Sequence, residues 1–214
     1  MTIQSLLRID APRALDRQSA AMSAPSDQAL IERIAGSDSL AMRALFVRHQ
    51  VRVYRFILRL VGNQQAAEDL ISEVFLEIWR HAAKFQARSQ VSTWILAIAR
   101  FKALTSLRRR DTDQLDEVTA AAIEDPGDDP EITFQKKERS DILRKCLSQL
   151  SPEHREIIDL VYYHEMAIRE IAEIVGIPEN TVKTRMFHAR KRLSALLSAA
   201  GVDRSWPTEA RAST

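Results

Sequence analysis

An all-α fold in two small domains is what this sequence predicts, on three observations. Apolar residues recur at spacings of three and four along most of its 214 residues, only five glycines occur, and runs of Val, Ile, Thr and aromatics bounded by turn residues are scarce. The length suits one medium domain or two small ones, and an apolar share of 45% suffices for a packed core.

Taken in order, Leu30, Ile31 and Ile34 give a short helical stripe ending near Gly36. Ser37 and Asp38 offer caps for a second helix carrying Leu40, Leu45, Phe46, Tyr54, Phe56, Ile57 and Leu60. Gly62-Asn63 stops it. Asn63 caps a third helix through Ala67, Leu70, Ile71, Val74, Phe75, Ile78 and Trp79. After a polar loop, Ser92 is the expected cap of a fourth helix, through Trp94, Ile95, Ile98 and Leu104 to Arg108-Arg109-Arg110.

The next stretch changes character. From Asp111 to Phe134 there are nine acidic residues and no Lys or Arg, with Pro126, Gly127 and Pro130 as breakers. One charge sign with breakers predicts a solvated, flexible linker. Beyond it, Ile142, Leu143, Cys146, Leu147 and Leu150 share a helical face. Ser151-Pro152 restarts a helix through Ile157, Ile158 and Val161. Ile168, Ile171, Ala172 and Val175 follow, then a turn at Gly176 and a fresh helix from Pro178. The expected division is a mobile N-terminal extension (1–25), a first helical domain (26–110), the acidic linker (111–137), a second domain (138–198) and a tail (199–214).

Composition excludes several classes. A single cysteine, Cys146, permits no disulfide framework and suits a reducing cytoplasm. Nothing approaches a membrane span or a signal peptide, so no membrane insertion is expected. His164-Glu165 opens like a zinc-protease motif, but the second His would fall at Ile168; the other histidines show no ligand spacing. There is no phosphate-cradling glycine motif and no converging polar set for catalysis, so neither cofactor nor enzymatic activity is expected.

The net charge is only +2, but its distribution is informative. In REIAEIVGIPENTVKTRMFHARKRL a short helix, a tight turn at Gly176 and a second helix form a helix-turn-helix pattern. Val182, Met186 and Ala189 should face inward. From Lys183 to Arg192 there are five basic residues and no acidic one, the electrostatic footprint of DNA contact. Thr181, Lys183, Thr184, Arg185 and His188 occupy the turns that reach base edges, and Arg190, Lys191 and Arg192 extend the charge along the backbone.

The second block, LSPEHREIIDLVYYHEMAIREIAEIVGIPENTVKTRMFHARKRL, resembles domain four of the sigma-70 family in its small extracytoplasmic-function (ECF) class. The first resembles domain two. AAEDLISEVFLEIWR is similar to the segment that docks on the polymerase clamp, and VSTWILAIARFKALTSLRRR to the segment that meets the minus-ten promoter element. The resemblance implies an alternative sigma factor that joins core RNA polymerase, directs it to promoter DNA and is held by an anti-sigma protein. It implies polymerase contacts at Asp69, Leu70, Glu73, Val74, Phe75 and Trp79. It implies minus-ten contacts at Trp94, Arg100, Lys102, Arg108 and Arg109, and minus-thirty-five contacts at Thr181, Lys183, Thr184, Arg185, His188, Arg190, Lys191 and Arg192. Asp69, Glu73 and Glu77 repel one another by steps of four, a penalty that a basic partner would remove. Core packing is the competing explanation for Phe75, Trp79 and Trp94. The chain departs from the family pattern at Phe101 (Asn there), at Thr105 (Asp there) and at Ala167, where Ser or Thr usually caps. A helix-turn-helix regulator that replaces no sigma subunit is the alternative; it explains the second block but not the acidic face of the first.

Overall fold

The computed structural model describes residues 25–113 and 141–201. The expected extension, nearly all of the acidic linker and most of the tail lie outside them. All regular structure among the described residues is helical.

Local chemistry sets each boundary. Helix α1 (Asp27–Ala35) starts where the Ser26 hydroxyl accepts from the Ala29 amide. Helix α2 (Ser39–Val61) starts at Asp38, which accepts from the Leu40 and Ala41 amides. Those amide bonds, the Ala41 one foremost, and the Arg33 guanidinium hold the Asp38 carboxyl below its usual range. Gly62 ends α2 at φ 65°, a left-handed conformation that costs glycine nothing. Helix α3 (Gln64–His81) is capped by Asn63, and a 3-10 turn (Ala82–Lys84) follows.

Helix α4 corrects one expectation. It spans Val91–Asp113, and the Trp94 amide already reaches the Gln90 carbonyl at 3.1 Å. Ser92 therefore lies inside the first turn and is not the cap. The helix also continues three residues into the expected linker. In the second block, a helix over 141–148 (α5) precedes α6 (Pro152–Tyr162), capped by Ser151 with proline in the first turn. The helix-turn-helix follows as α7 (Ile168–Val175) and α8 (Glu179–Ala199), joined by Gly176 at φ 75°. Ala167 offers α7 no side-chain acceptor, but Glu170 supplies half of a capping box by accepting from the Ala167 amide at 2.9 Å.

Helices α1 to α4 enclose a core that includes Leu30, Leu45, Phe56, Ile57, Ile78 and Ile95. That core does not stop at the first block. Ile157, Leu160, Ile171, Ile174 and Val182 of the second block belong to the same cluster. A smaller cluster of Cys146, Leu150, Ile158, Ala189 and Leu193 joins α5, α6 and α8. The two blocks are thus closed onto each other, with α7 packed along α4.

Candidate nucleic-acid interface

The helix-turn-helix is built as its pattern requires. Val182 and Ala189 are fully buried and Met186 packs against the core, which fixes the rotation of α8. Lys183, Thr184, His188, Lys191 and Arg192 consequently face solvent, while Thr181 and Arg185 are half-buried. The outward face also carries Phe187, 63% exposed and edge-on to His188. Sequence reasoning passed over Phe187, although its place one step before His188 was the available signal. Arg190 differs from its neighbours: its Nε donates to the Tyr162 hydroxyl at 2.7 Å, which ties α8 to α6. In this state it is a packing residue, not a free phosphate contact.

The first block is rearranged more. Leu70, Val74 and Phe75, expected as polymerase contacts, are buried, and Phe75 meets Phe46 edge-on at 4.8 Å. Their spacing reflected core packing. Trp79 is half-buried against the same core. The exposed side chains of α3 include Glu68, Asp69, Glu73 and Leu76, which is 46% exposed. The repulsion expected among Asp69, Glu73 and Glu77 is partly relieved within the chain. Lys102 of α4 places its Nζ 3.1 Å from Glu77 and 3.7 Å from Glu73. Its hydrogen bond to Glu77 outweighs burial and holds that carboxyl below its usual range. Lys102, expected on DNA, here braces α3 to α4.

Trp94 is half-buried and tilts against Phe85 at 4.9 Å, a core anchor. Arg108 and Arg109 are exposed on the last turns of α4. Arg100 is engaged by the second block: its Nε donates to Glu156 Oε1 at 2.6 Å and its Nη2 to Oε2 at 3.2 Å. Phe101 is 68% exposed beside it. Phe101 and Thr105, two departures from the family pattern, help line a cavity of about 250 Å³ between α4 and the Ile174–Gly176 turn.

A basic helix displayed by a helix-turn-helix, set beside a second helical domain with arginines along one helix, is the arrangement of a DNA-binding protein. The sigma-70 region 2 model matches residues 45–112 and the sigma-70 region 4 model matches residues 140–193. A Mycobacterium bovis protein named ECF RNA polymerase sigma factor SigK is 29% identical over 169 residues, 77% of this chain and 90% of its own. A Mycobacterium tuberculosis protein named ECF RNA polymerase sigma factor SigL is 28% identical over 180 residues, 82% of this chain and 99% of its own. The chain belongs to the sigma-70 family, in its ECF class, and is an alternative sigma factor that directs transcription initiation. Its fold is shared with two solved structures. One is CnrH in complex with the cytosolic domain of CnrY (TM-score 0.61, 22% identity, 82% of this chain and 99% of that one). The other is the sigma factor RpoE with the anti-sigma factor NepR from Bartonella quintana (TM-score 0.62, 24% identity, 76% of this chain and 98% of that one). No helix among the described residues is long and apolar enough to cross a membrane.

Proposed function

We propose that this sigma factor divides its work among three surfaces. Asp69, Glu73 and Leu76 on α3 dock on core polymerase. Arg100, Phe101, Arg108 and Arg109 on α4 meet the minus-ten element. On α8, Lys183, Thr184, Arg185 and His188 read the minus-thirty-five element, with Lys191 and Arg192 on phosphate. The observation that carries this is the rotation of α8: burial of Val182 and Ala189 turns its cationic side chains to one outer face, with Gly176 setting the turn before it. Arginine and lysine suit the paired acceptors of guanine, and threonine the thymine methyl.

The working units are 26–110 and 138–198. The protein acts in the cytoplasm and performs no chemistry itself; polymerase supplies catalysis. The solved complex of one fold relative, RpoE, holds an anti-sigma factor, NepR, which supports an anti-sigma protein for this chain too. The test is transcription with purified core enzyme on templates differing by single bases in each element. Substitutions on α8 should change the preference at minus thirty-five and leave that at minus ten.

A further inference from the structure

Helix α4 carries a second feature on the face that meets α7. Ala97, Arg100, Phe101, Leu104, Thr105 and Arg108 recur at steps of three and four, so they share one side of the helix. Between them and the Ile174–Gly176 turn lies the cavity of about 250 Å³. Two small residues keep the space. Ala97 lines it with no more than a methyl group, and Gly176 with no side chain at all. A Cβ added at Gly176 would meet no atom within 4 Å.

The lining is divided chemically. Ala97, Leu104, Ile174 and Val175 give apolar walls, and the exposed Phe101 ring stands beside them. At one end Thr105 and Arg108, three residues apart on the helix, supply a hydroxyl and a guanidinium. Toward the other end lies Arg100, whose Nε and Nη2 are taken by Glu156. None of the described residues lining the cavity is acidic. A cavity of about 150 Å³ holds one benzene ring, so this one has room for two fused rings. Apolar walls with an aromatic edge suit a flat hydrocarbon body, and polar groups gathered at one end fix its direction. Glu156 already neutralises one of the two guanidinium groups, so at most one negative charge is called for. Arginine carries five N–H donors, so Arg108 can take a carboxylate beside any contact it makes within the chain.

We propose that this cavity is a binding site for a small planar organic monoanion, of the class of one- or two-ring aromatic carboxylates. The carboxylate sits at Thr105 and Arg108, and the rings lie along Phe101 and Leu104 toward Ala97, with Ile174 opposite. The chain's departures from the family pattern fall on this site. Asp in place of Thr105 would set a carboxylate against that of the ligand, and Asn in place of Phe101 would remove the aromatic edge. Binding here does not depend on the assignment of α4 to promoter DNA.

The test is a calorimetric titration of the full chain with 1-naphthoate at fixed ionic strength. One molecule should bind per chain with a dissociation constant below about 1 mM, the range open to a ligand of this size. Thr105→Asp and Phe101→Asn should each weaken binding about tenfold, with the circular dichroism unchanged. Neutral 1-naphthamide should bind the unaltered chain about tenfold more weakly and should ignore Thr105→Asp. Ala97→Leu, which fills the space, should remove binding of both compounds. Lys145→Gln, at an exposed position on α5, is the control for general attraction to cations and should change nothing. An absence of saturable binding overturns the proposal. So does a loss at Lys145→Gln equal to that at Thr105→Asp, and so does an amide that binds as well as the carboxylate. Binding that survives Ala97→Leu places the ligand elsewhere and rejects the site.

Discussion

Arg100 and Glu156 stand 56 residues apart and are joined by a two-nitrogen, two-oxygen ion pair at the seam between the blocks, with side-chain exposures of 22% and 7%. Breaking a buried pair from one side typically costs about 3–5 kcal/mol, because the other charge is stranded. Here the stranded charge would lie between the blocks, so the loss should fall mainly on their docking. Arg100→Ala should therefore leave the melting temperature of the first block nearly unchanged. Amide exchange along α4 and α7 should accelerate. A large fall in that melting temperature would mean that the pair holds the fold and not the seam.

On α3, Asp69 and Glu73 face solvent while Val74 and Phe75 lie beneath them. Charge reversal at Asp69 or Glu73, or Leu76→Asp, should weaken core binding by an order of magnitude with the circular dichroism unchanged. Phe75→Ala should instead cost about 3–5 kcal/mol of stability, as truncation of a buried aromatic does. A pull-down on core polymerase beside thermal melts separates the two effects.

The exposed and engaged cations of α8 should behave differently. Lys191→Ala or Arg192→Ala should weaken all promoters alike and lower the salt dependence by about one unit of slope each. Lys183→Ala or His188→Ala should cost about 1–3 kcal/mol at particular bases. Arg190→Ala should act first on stability, because it removes the tie between α8 and α6. Holoenzyme binding across a salt series and a set of single-base variants checks all three.

Phe101 stands where the family pattern has Asn, an exposed aromatic between Arg100 and Arg108 on one helix. A flat ring beside cations stacks on any unpaired base. Phe101→Ala should weaken open-complex formation several-fold on all minus-ten sequences, and Phe101→Trp should retain it. Potassium permanganate footprinting reports both. An effect confined to one base would show that Phe101 reads sequence.

Acid stability should depend on Asp27. Burial raises its carboxyl, but hydrogen bonds from Arg48 and His49 outweigh that and hold it below the ordinary 3.8. A depressed folded value means the contribution is complete above that ordinary value and is lost as pH falls through the lower, folded one. Asp27→Asn should cost about 1 kcal/mol at pH 7, a modest figure because the carboxylate is nearly one-third exposed. The gap should close on acidification below 3.8. A constant gap down to pH 2 would assign the loss to packing instead.

Most of the fold was legible because it rests on local chemistry. Asp38, Asn63, Ser151 and Gly176 act where their residue types predict, and the inward stripe of α8 follows from spacing alone. The misreadings share a cause. Phe75 and Val74 carry the periodicity of a core face and of a docking face alike, since both are apolar stripes. Lys102 reads as a DNA contact because charge in a sequence does not disclose its partners, and here these stand on another helix. Glu156 and Asp159 look like ordinary solvated positions on an amphipathic helix. Only the closure of α6 onto α2 and α4 makes them interfacial, and that depends on contacts 56 and 100 residues apart. Leu76 was missed because a single exposed leucine has no pattern.

The most direct test of the central claim is transcription with purified core polymerase and this chain on fragmented genomic DNA, with the 5′ ends of the transcripts sequenced. The account predicts starts at a limited set of sites that share two upstream elements, absent without the chain and lost when Lys183 and Arg185 are both replaced by Ala. Duplex binding by the chain alone, with no start site that depends on it, would contradict the account.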